Sequence, residues 1–298
     1  MRAARAPTKT LLLTATIFER TAGIVHGFST RRAPAGGNDF NLGFAEGADR
    51  AAPEKAERNR KLFLEAVTGA RAGWRMQLVR QVHSDQIQVI RGKSMAPNVT
   101  RGKVVVVPAA DGLITHAPGV LLAVQAADCV PVLLADTKRP AVGALHAGWR
   151  GTLARIAEKG VGAMRREFGS DPANLRAVIG PCIHACCYQV WDELRDQFCS
   201  QFDYGAELFH EVYESDPVRE KYPLLFMNMR APGHGAPPCR SHLDLVAANR
   251  RQLLAAGVPG KSIEIIPLCT ACHSKLLFSH RAEKGRTGRM MAAIGIAP

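Results

Sequence analysis

Nothing in the 298 residues approaches the ~18 consecutive apolar positions that a membrane span requires. Low-complexity tracts and internal repeats are also missing, so neither a solenoid nor a long disordered linker is expected. The N-terminus "MRAARAPTKTLLLTATIFER" lacks a cleavage signal. Its apolar part is short, broken by threonines and followed by Glu19 and Arg20, which reads as a cytoplasmic protein rather than a secreted one. Acidic charge is scarce, with 26 Asp+Glu against 39 Lys+Arg and a formal net charge of +13. That balance raises the question of nucleic acid. The basic pairs are scattered (Arg31–Arg32, Arg165–Arg166, Arg250–Arg251), and no basic run is interleaved with aromatics. A basic solvated surface that draws small anions toward a pocket fits better, with no nucleic-acid or membrane partner.

What is present is globular. Hydrophobic residues make up 47% of the chain and charged residues 22%, enough to bury a core. Eight cysteines without a secretion signal argue against a disulfide scaffold and for buried small side chains, with one or two left as ligands or nucleophiles.

Strand-like runs fall at 75–83, 87–90, 103–115, 119–136 (broken at Ala127–Asp128–Cys129), 141–151, 174–183 and 262–270. Helical spacing follows Thr152, read as an N-cap, and recurs at 187–202 and 243–257, with Gly257 as a stop. Residues 230–241 read as an exposed Pro/Gly loop, and 279–296 as a basic loop leading into an apolar end. Strands and helices mix without strict alternation, which indicates an α+β fold.

His83, Cys129 and His146 each end an apolar run beside a small or polar break. Strand ends deliver side chains to one rim of a sheet. Two imidazoles and a thiolate form a zinc set with a fourth position left for water, the pattern of a catalytic site. Asp85 and Asp128 adjoin these residues and are candidates to orient an imidazole or move a proton. The spacing alone is unspecific. Gaps of 46 and 17 residues match no local zinc pattern, and structural roles or a Cys129–His146 nucleophilic dyad fit the same residue types.

Other matches carry less. "CTACH" (269–273) fits the haem-attachment pattern and its CxxC fits redox or zinc use, but covalent haem needs export, a structural zinc wants a second pair and none has suitable spacing, and packed cysteines at a strand end fit better. "GPCIHACC" (180–187) has the wrong spacing for a nucleobase-deaminase zinc motif and no H-x-E upstream. "EKGRTGR" (283–289) sets glycines among cations and is able to clamp a phosphate or carboxylate, or is a flexible basic loop.

Taken in order, "HGFSTR" (26–31), "NLG" (41–43), "QVHSDQI" (81–87), "ADGLIT" (110–115), "ADCVPVLLAD" (127–136), "GALHAGWRGT" (143–152), "IGPCI…CCYQV" (179–190), "CT…LLFSHR" (269–281) and "GRTGRMMAAIGI" (285–296) resemble the YfiH-like peptidoglycan editing factor, or laccase-domain, family. The resemblance covers roughly residues 20–296. It implies one layered α/β/β/α domain over 20–298 behind an N-terminal extension, 1–19, similar to the cytotoxic-necrotizing-factor deamidases. It implies zinc on His83, Cys129 and His146, with copper as the alternative ion.

The implied activity is phosphorolysis of purine nucleosides (adenosine, inosine, methylthioadenosine) together with adenosine deamination. Copper-dependent polyphenol oxidation and a cysteine hydrolase or amidase role in peptidoglycan precursor editing are the alternatives; a non-catalytic basic binding protein is the third. Arg31 matches the early "STR" arginine and is expected at the phosphate or substrate end. Trp149 reads as a wall able to stack a purine, or as packing. The stretch 32–39 and the segment 279–284, with His280 and Ala282, depart from the family pattern, and 230–241 looks inserted.

Overall fold

The two apolar runs flanking Ala127–Cys129 form the centre of the architecture. In the computed structural model, residues 12–33, 39–43, 53–92, 108–213 and 239–298 are described. The first run is β5 (Val120–Ala126) and the second β6 (Val130–Asp136), and they enter different sheets. β5 is paired with β13 (Met290–Ile296), which continues antiparallel to β1 (Ile24–Phe28), while β2 (Arg75–Gln77) runs parallel to β5 on its other side. β6 lies between β7 (Val142–Ala147) and β8 (Leu175–Ile179), both antiparallel to it. Beyond β7 come β4 (Gly112–Thr115) and β3 (Ile87–Ile90), and beyond β8 comes β12 (Ile263–Ile265), making six strands.

These strands are apolar on both faces because both faces are covered. Side chains alternate across a strand. In β5, Leu122 and Val124 face the other sheet while Leu121 and Ala123 face outward. In β13, Ala292 and Ile294 take the inner side, and Met291 and Ala293 the outer. The inner layer meets Leu133, Val142, Ala144 and Val178 of the six-stranded sheet. Phe63, Leu64 and Val67 of helix α2 (Pro53–Thr68) cover the outer side.

A further helix, α4 (Ile156–Phe168), covers the six-stranded sheet. A Cβ at its Gly160 would lie 2.5 Å from Leu145 Cδ1, so the helix packs directly against the strand. The expected α+β, layered α/β/β/α arrangement is therefore present. The apolar runs 87–90 and 119–136 became strands as expected, and the apolar end of 279–296, read only as following a basic loop, is strand β13. In 75–83, only Arg75–Gln77 is strand; residues 103–107 lie outside the described residues, as do 34–38 and 230–238 of the two altered stretches.

The helix after "HAGWRG" starts earlier than expected. Helix α3 is Trp149–Leu153, with Gly148 in the capping position, and Arg155 at φ +63° separates it from α4. Thr152 is therefore inside α3 and not an N-cap. Its hydroxyl accepts from Asn249 Nδ2 at 3.0 Å and its carbonyl from Gln252 Nε2 at 2.7 Å, both on α6 (Leu245–Ala255).

The N-terminal residues contribute to the core. Ala15 and Phe18 are fully buried, Phe18 within the short helix α1 (Thr16–Glu19), and Leu13 bridges to Phe28. Contacts divide the chain into two compact units, residues 1–184 with 245–298, and residues 185–244. The smaller unit has a three-stranded antiparallel sheet, β10 (Phe209–Tyr213), β11 (Cys239–Leu243) and β9 (Gln189–Val190), with helix α5 (Asp192–Gln201). Its core is aromatic, with Phe198 against Phe202 and Phe209.

Candidate metal centre

β7 ends by delivering His146 to the rim of the six-stranded sheet, and the tight connection between β5 and β6 delivers Cys129. His83 comes from the loop between β2 and β3, at φ +60°. The three were expected at one rim, and the structure brings them together: their donor atoms lie within 4.8 Å of one another. Tetrahedral nitrogen and sulfur ligands of zinc stand roughly 3.5 Å apart, so a small contraction closes the set. The donor chemistry fits a single borderline-soft cation. His146 is buried, Cys129 half-buried and His83 exposed, so the cluster faces solvent on the His83 side.

One buried carboxylate organises two of the three. Asp111 Oδ1 is 2.8 Å from His146 Nδ1. An ionised carboxylate only accepts, so Nδ1 carries a proton and Nε2 is the ring nitrogen that turns to Cys129. The same carboxylate accepts the backbone N–H groups of Val82, His83 and Ser84, at 2.6–3.1 Å, and the Ser84 hydroxyl at 2.8 Å. It therefore holds the left-handed turn that presents His83. Although burial opposes its charge, hydrogen bonds from His146 and Ser84 bring Asp111 down to about 2.

Burial would also raise the Cys129 thiol, but the charge and hydrogen bonds of His146, with help from His83, outweigh it and lower it. His146 is raised in turn, its burial overcome by Cys129 and Asp111. The thiol is thus held toward its thiolate, the form that ligates metal.

The glycines of the corner have a steric reason. A Cβ on Gly148 would stand 3.0 Å from His83 Cδ2 and 3.1 Å from Cys129 Sγ. A Cβ on Gly151 would stand 3.1 Å from Ser84 O. Trp149 is half-buried in the first turn of α3, and the Arg150 guanidinium lies 4.2 Å over its ring.

Three expectations from sequence change. Asp85 is ion-paired with Lys159 and does not orient a ligand. Asp128 accepts the Thr270 hydroxyl and the Arg281 N–H, each at 2.6 Å, so it anchors the 270–281 segment beside Cys129. Asp111 has the role that these two were candidates for. Its sequence signal, Asp-Gly opening a β-branched run, reads as an ordinary turn. Arg31 is not among the cluster's donors. It is ion-paired with Glu283, donates to Ser274 O at 2.6 Å and lies 4.6 Å over the Phe278 ring. Of "CTACH", Cys269 is buried and accepts from the His184 N–H at 3.5 Å, while His273 Nδ1 donates to Cys269 O at 2.9 Å.

Sheet sandwich and rim cluster together define a mixed α/β protein with a candidate two-histidine, one-cysteine metal centre. A family model described as multi-copper polyphenol oxidoreductase laccase matches residues 17–297, and the chain belongs to that family. It is 36% identical over 277 residues to a protein of Geobacillus stearothermophilus named purine nucleoside phosphorylase YlmD, covering 92% of this chain and 90% of that one. It is 33% identical over 215 residues to adenosine deaminase RL5 of an unknown prokaryotic organism, covering 72% of each. The crystal structure of YlmD from G. stearothermophilus superposes with a TM-score of 0.76 at 34% identity, covering 100% of this chain and 98% of that one. The Bacillus licheniformis hypothetical protein YfiH gives 0.75 at 31%, covering 98% of both. Family and relatives mark the chain as an enzyme. Among the described residues, no helix is long and apolar enough to cross a membrane.

Proposed function

We propose that the chain is a zinc-dependent purine nucleoside phosphorylase that also deaminates adenosine. The observation that carries this reading is the convergence of His83, Cys129 and His146 with Asp111 fixing the tautomer of one ligand and the backbone of another. The names of the relatives at 36% and 33% identity, purine nucleoside phosphorylase and adenosine deaminase, support the two reactions. When bound, zinc supplies Lewis acidity and a water whose pKa is brought to about 7.

The residues of the chain do the rest. Asp111 keeps the proton on His146 Nδ1 and the ring in place. The Cys129 thiolate gives the set its softness. Trp149, backed by Arg150, offers an aromatic wall for a purine. Arg31, tied to Glu283, Ser274 and Phe278, positions the 274–283 segment in this reading. In phosphorolysis a phosphate oxygen bonds to the ribose C1′ as the glycosidic bond breaks. The purine leaves with the electron pair and takes the proton released by hydrogen phosphate.

The test is incubation of the protein with adenosine and inorganic phosphate, with all products measured. Ribose 1-phosphate should appear in an amount equal to adenine plus hypoxanthine, with inosine and its hypoxanthine marking the competing deamination. His83→Ala, Cys129→Ala and His146→Ala should each abolish zinc retention and both reactions while circular dichroism stays that of the native fold. Active, metal-free Cys129→Ala protein would sink the reading. Metal analysis after purification without added metal separates zinc from copper. Activity that survives chelators and dies on thiol alkylation would instead identify a cysteine hydrolase.

A further inference from the structure

Arg289 closes the basic glycine segment that precedes β13. The antiparallel register pairs Met290 with Ala126, so Arg289 comes to the same rim as the Ala127–Cys129 connection. Its backbone is fixed from both sides. Its N–H donates to Asn41 Oδ1 at 2.8 Å, and its carbonyl accepts from Leu42 N at 3.0 Å. Gly43 makes room for its stem: a Cβ there would lie 2.4 Å from Arg289 Cγ and 3.0 Å from Gln125 Oε1. The "NLG" stretch is therefore a slot built around this one side chain. Gly288 is equally confined, since a Cβ would meet Phe278 Cζ at 2.8 Å and Asn41 Cγ at 3.0 Å.

The guanidinium so positioned has no carboxylate partner among the described residues. Its hydrogen bonds run from NH1 to the Thr287 and Gly288 carbonyls, at 3.3 and 3.2 Å. Burial pushes its pKa down, against the pull of Cys129 and Asp128. Both have other partners. Asp128 is held by Thr270 and Arg281, and Cys129 faces the two imidazoles. A half-buried cation without a counter-ion is costly unless an anion arrives to meet it. Next to it, Thr287 is 3% exposed and its Oγ1 has no hydrogen-bond partner. A buried hydroxyl in want of a partner is a second sign of a missing ligand. Arg31, which the sequence placed at the phosphate or substrate end, already has Glu283.

We infer that Arg289 is the anion-binding residue of the site, receiving the phosphate co-substrate beside the metal ligands, with the Thr287 hydroxyl as a second donor. The inference rests on the phosphorolytic reading for the identity of the anion. It does not rest on it for the existence of the subsite. The planar guanidinium suits two phosphate oxygens at once, which lysine cannot imitate.

Two measurements separate the subsite from the reaction. In the first, the phosphate dependence of adenine release is compared for wild type, Arg289→Gln, Arg289→Lys and Thr287→Val, each with its zinc content measured. Loss of a charge-assisted bond to phosphate corresponds to about tenfold to a hundredfold in affinity. The KM for phosphate should rise by that factor in Arg289→Gln, more than the KM for nucleoside, and less in Arg289→Lys and Thr287→Val. A phosphate KM unchanged in zinc-loaded Arg289→Gln overturns the proposal. If that variant does not fold, Arg289→Lys decides on the same criterion.

In the second, binding of inorganic phosphate alone to the zinc-loaded protein is followed by calorimetry. Binding by wild type that is lost in Arg289→Gln supports the subsite even if no nucleoside is turned over, in which case the phosphorylase reading alone fails. Equal binding by both proteins refutes the assignment of Arg289.

Discussion

Asp111 organises more of this site than any residue outside the His83, Cys129 and His146 cluster. It receives one side-chain proton from His146, one from Ser84 and three backbone N–H groups, all in a fully buried position. An asparagine there keeps the shape but presents one acceptor oxygen and two unwanted hydrogens to a ring of donors. Carboxylates that support a metal-binding histidine are worth roughly 10–100-fold in metal affinity. Asp111→Asn should lose that much, read as zinc competition against a chromophoric chelator. Wild-type affinity in a folded variant would remove Asp111 from the description. The three residues of the cluster could be singled out in the sequence because each ends an apolar run at a small or polar break, a local signal. Asp111 was not, because its meaning lies in partners 27 to 35 positions away. Arg289 stayed equally hidden. Its segment could be read as an anion clamp, but only packing on Gly43 and Asn41 tells which of its cations is held and which are free to move in solvent.

At the scale of elements, the corner between β7 and α3 joins the strand that carries His146 to a helix that starts one residue beyond a glycine. Gly148 has φ −69° and ψ 175°, a conformation open to any residue, so its lack of a side chain serves space and not backbone freedom. Gly148→Ala is therefore a clean probe. The backbone tolerates alanine, and the unfolded chain loses freedom, which stabilises by roughly 0.4–1 kcal/mol. The new methyl crowds His83 and Cys129 at 3.0 and 3.1 Å. Thermal stability of the metal-free protein should hold within a few degrees while zinc occupancy and turnover fall together. An alanine variant with full zinc and full activity would show that the corner has slack. The strands were legible where both faces are covered, as in 120–126 and 130–136, because continuous apolar runs bounded by turns have few other uses. The His83 loop and the register of α3 were not. A left-handed histidine is stabilised by a remote carboxylate, and Thr152 looks like a cap until Asn249 and Gln252 are seen to bind it.

At the scale of the molecule, the N-terminal residues fasten the two sheets of the larger unit to each other. Leu13 bridges to the end of β1, while the Thr16 and Ile17 N–H groups donate to the Glu264 carboxylate on β12, at 3.0 and 2.7 Å. Arg176 of β8 donates to Ile17 O at 2.9 Å. His26 lies under this strap. It is 8% exposed, edge-on to Phe18 at 5.1 Å, and its Nε2 accepts the Ala15 N–H at 2.8 Å. That bond needs the lone pair, so it exists only with the neutral ring. Burial pushes the His26 pKa down from 6.5 to about 4, against the pull of Glu19. The folded chain therefore refuses a proton that the unfolded chain accepts, and stability falls as pH drops from 6.5 toward 4. Above pH 6.5 both states are neutral at this position and the contribution is intact. A shift of that size corresponds to about 3 kcal/mol lost across the window. Urea unfolding of wild type and His26→Gln at pH 7.5, 6 and 5 isolates it, because other titrating groups are common to both. The gap between the two proteins should narrow steadily with acid, through loss in wild type, and stay constant between pH 7 and 8. Parallel stability curves through the acid window would mean that the strap accommodates a charged ring, and that the sheets are held by their apolar layer without it.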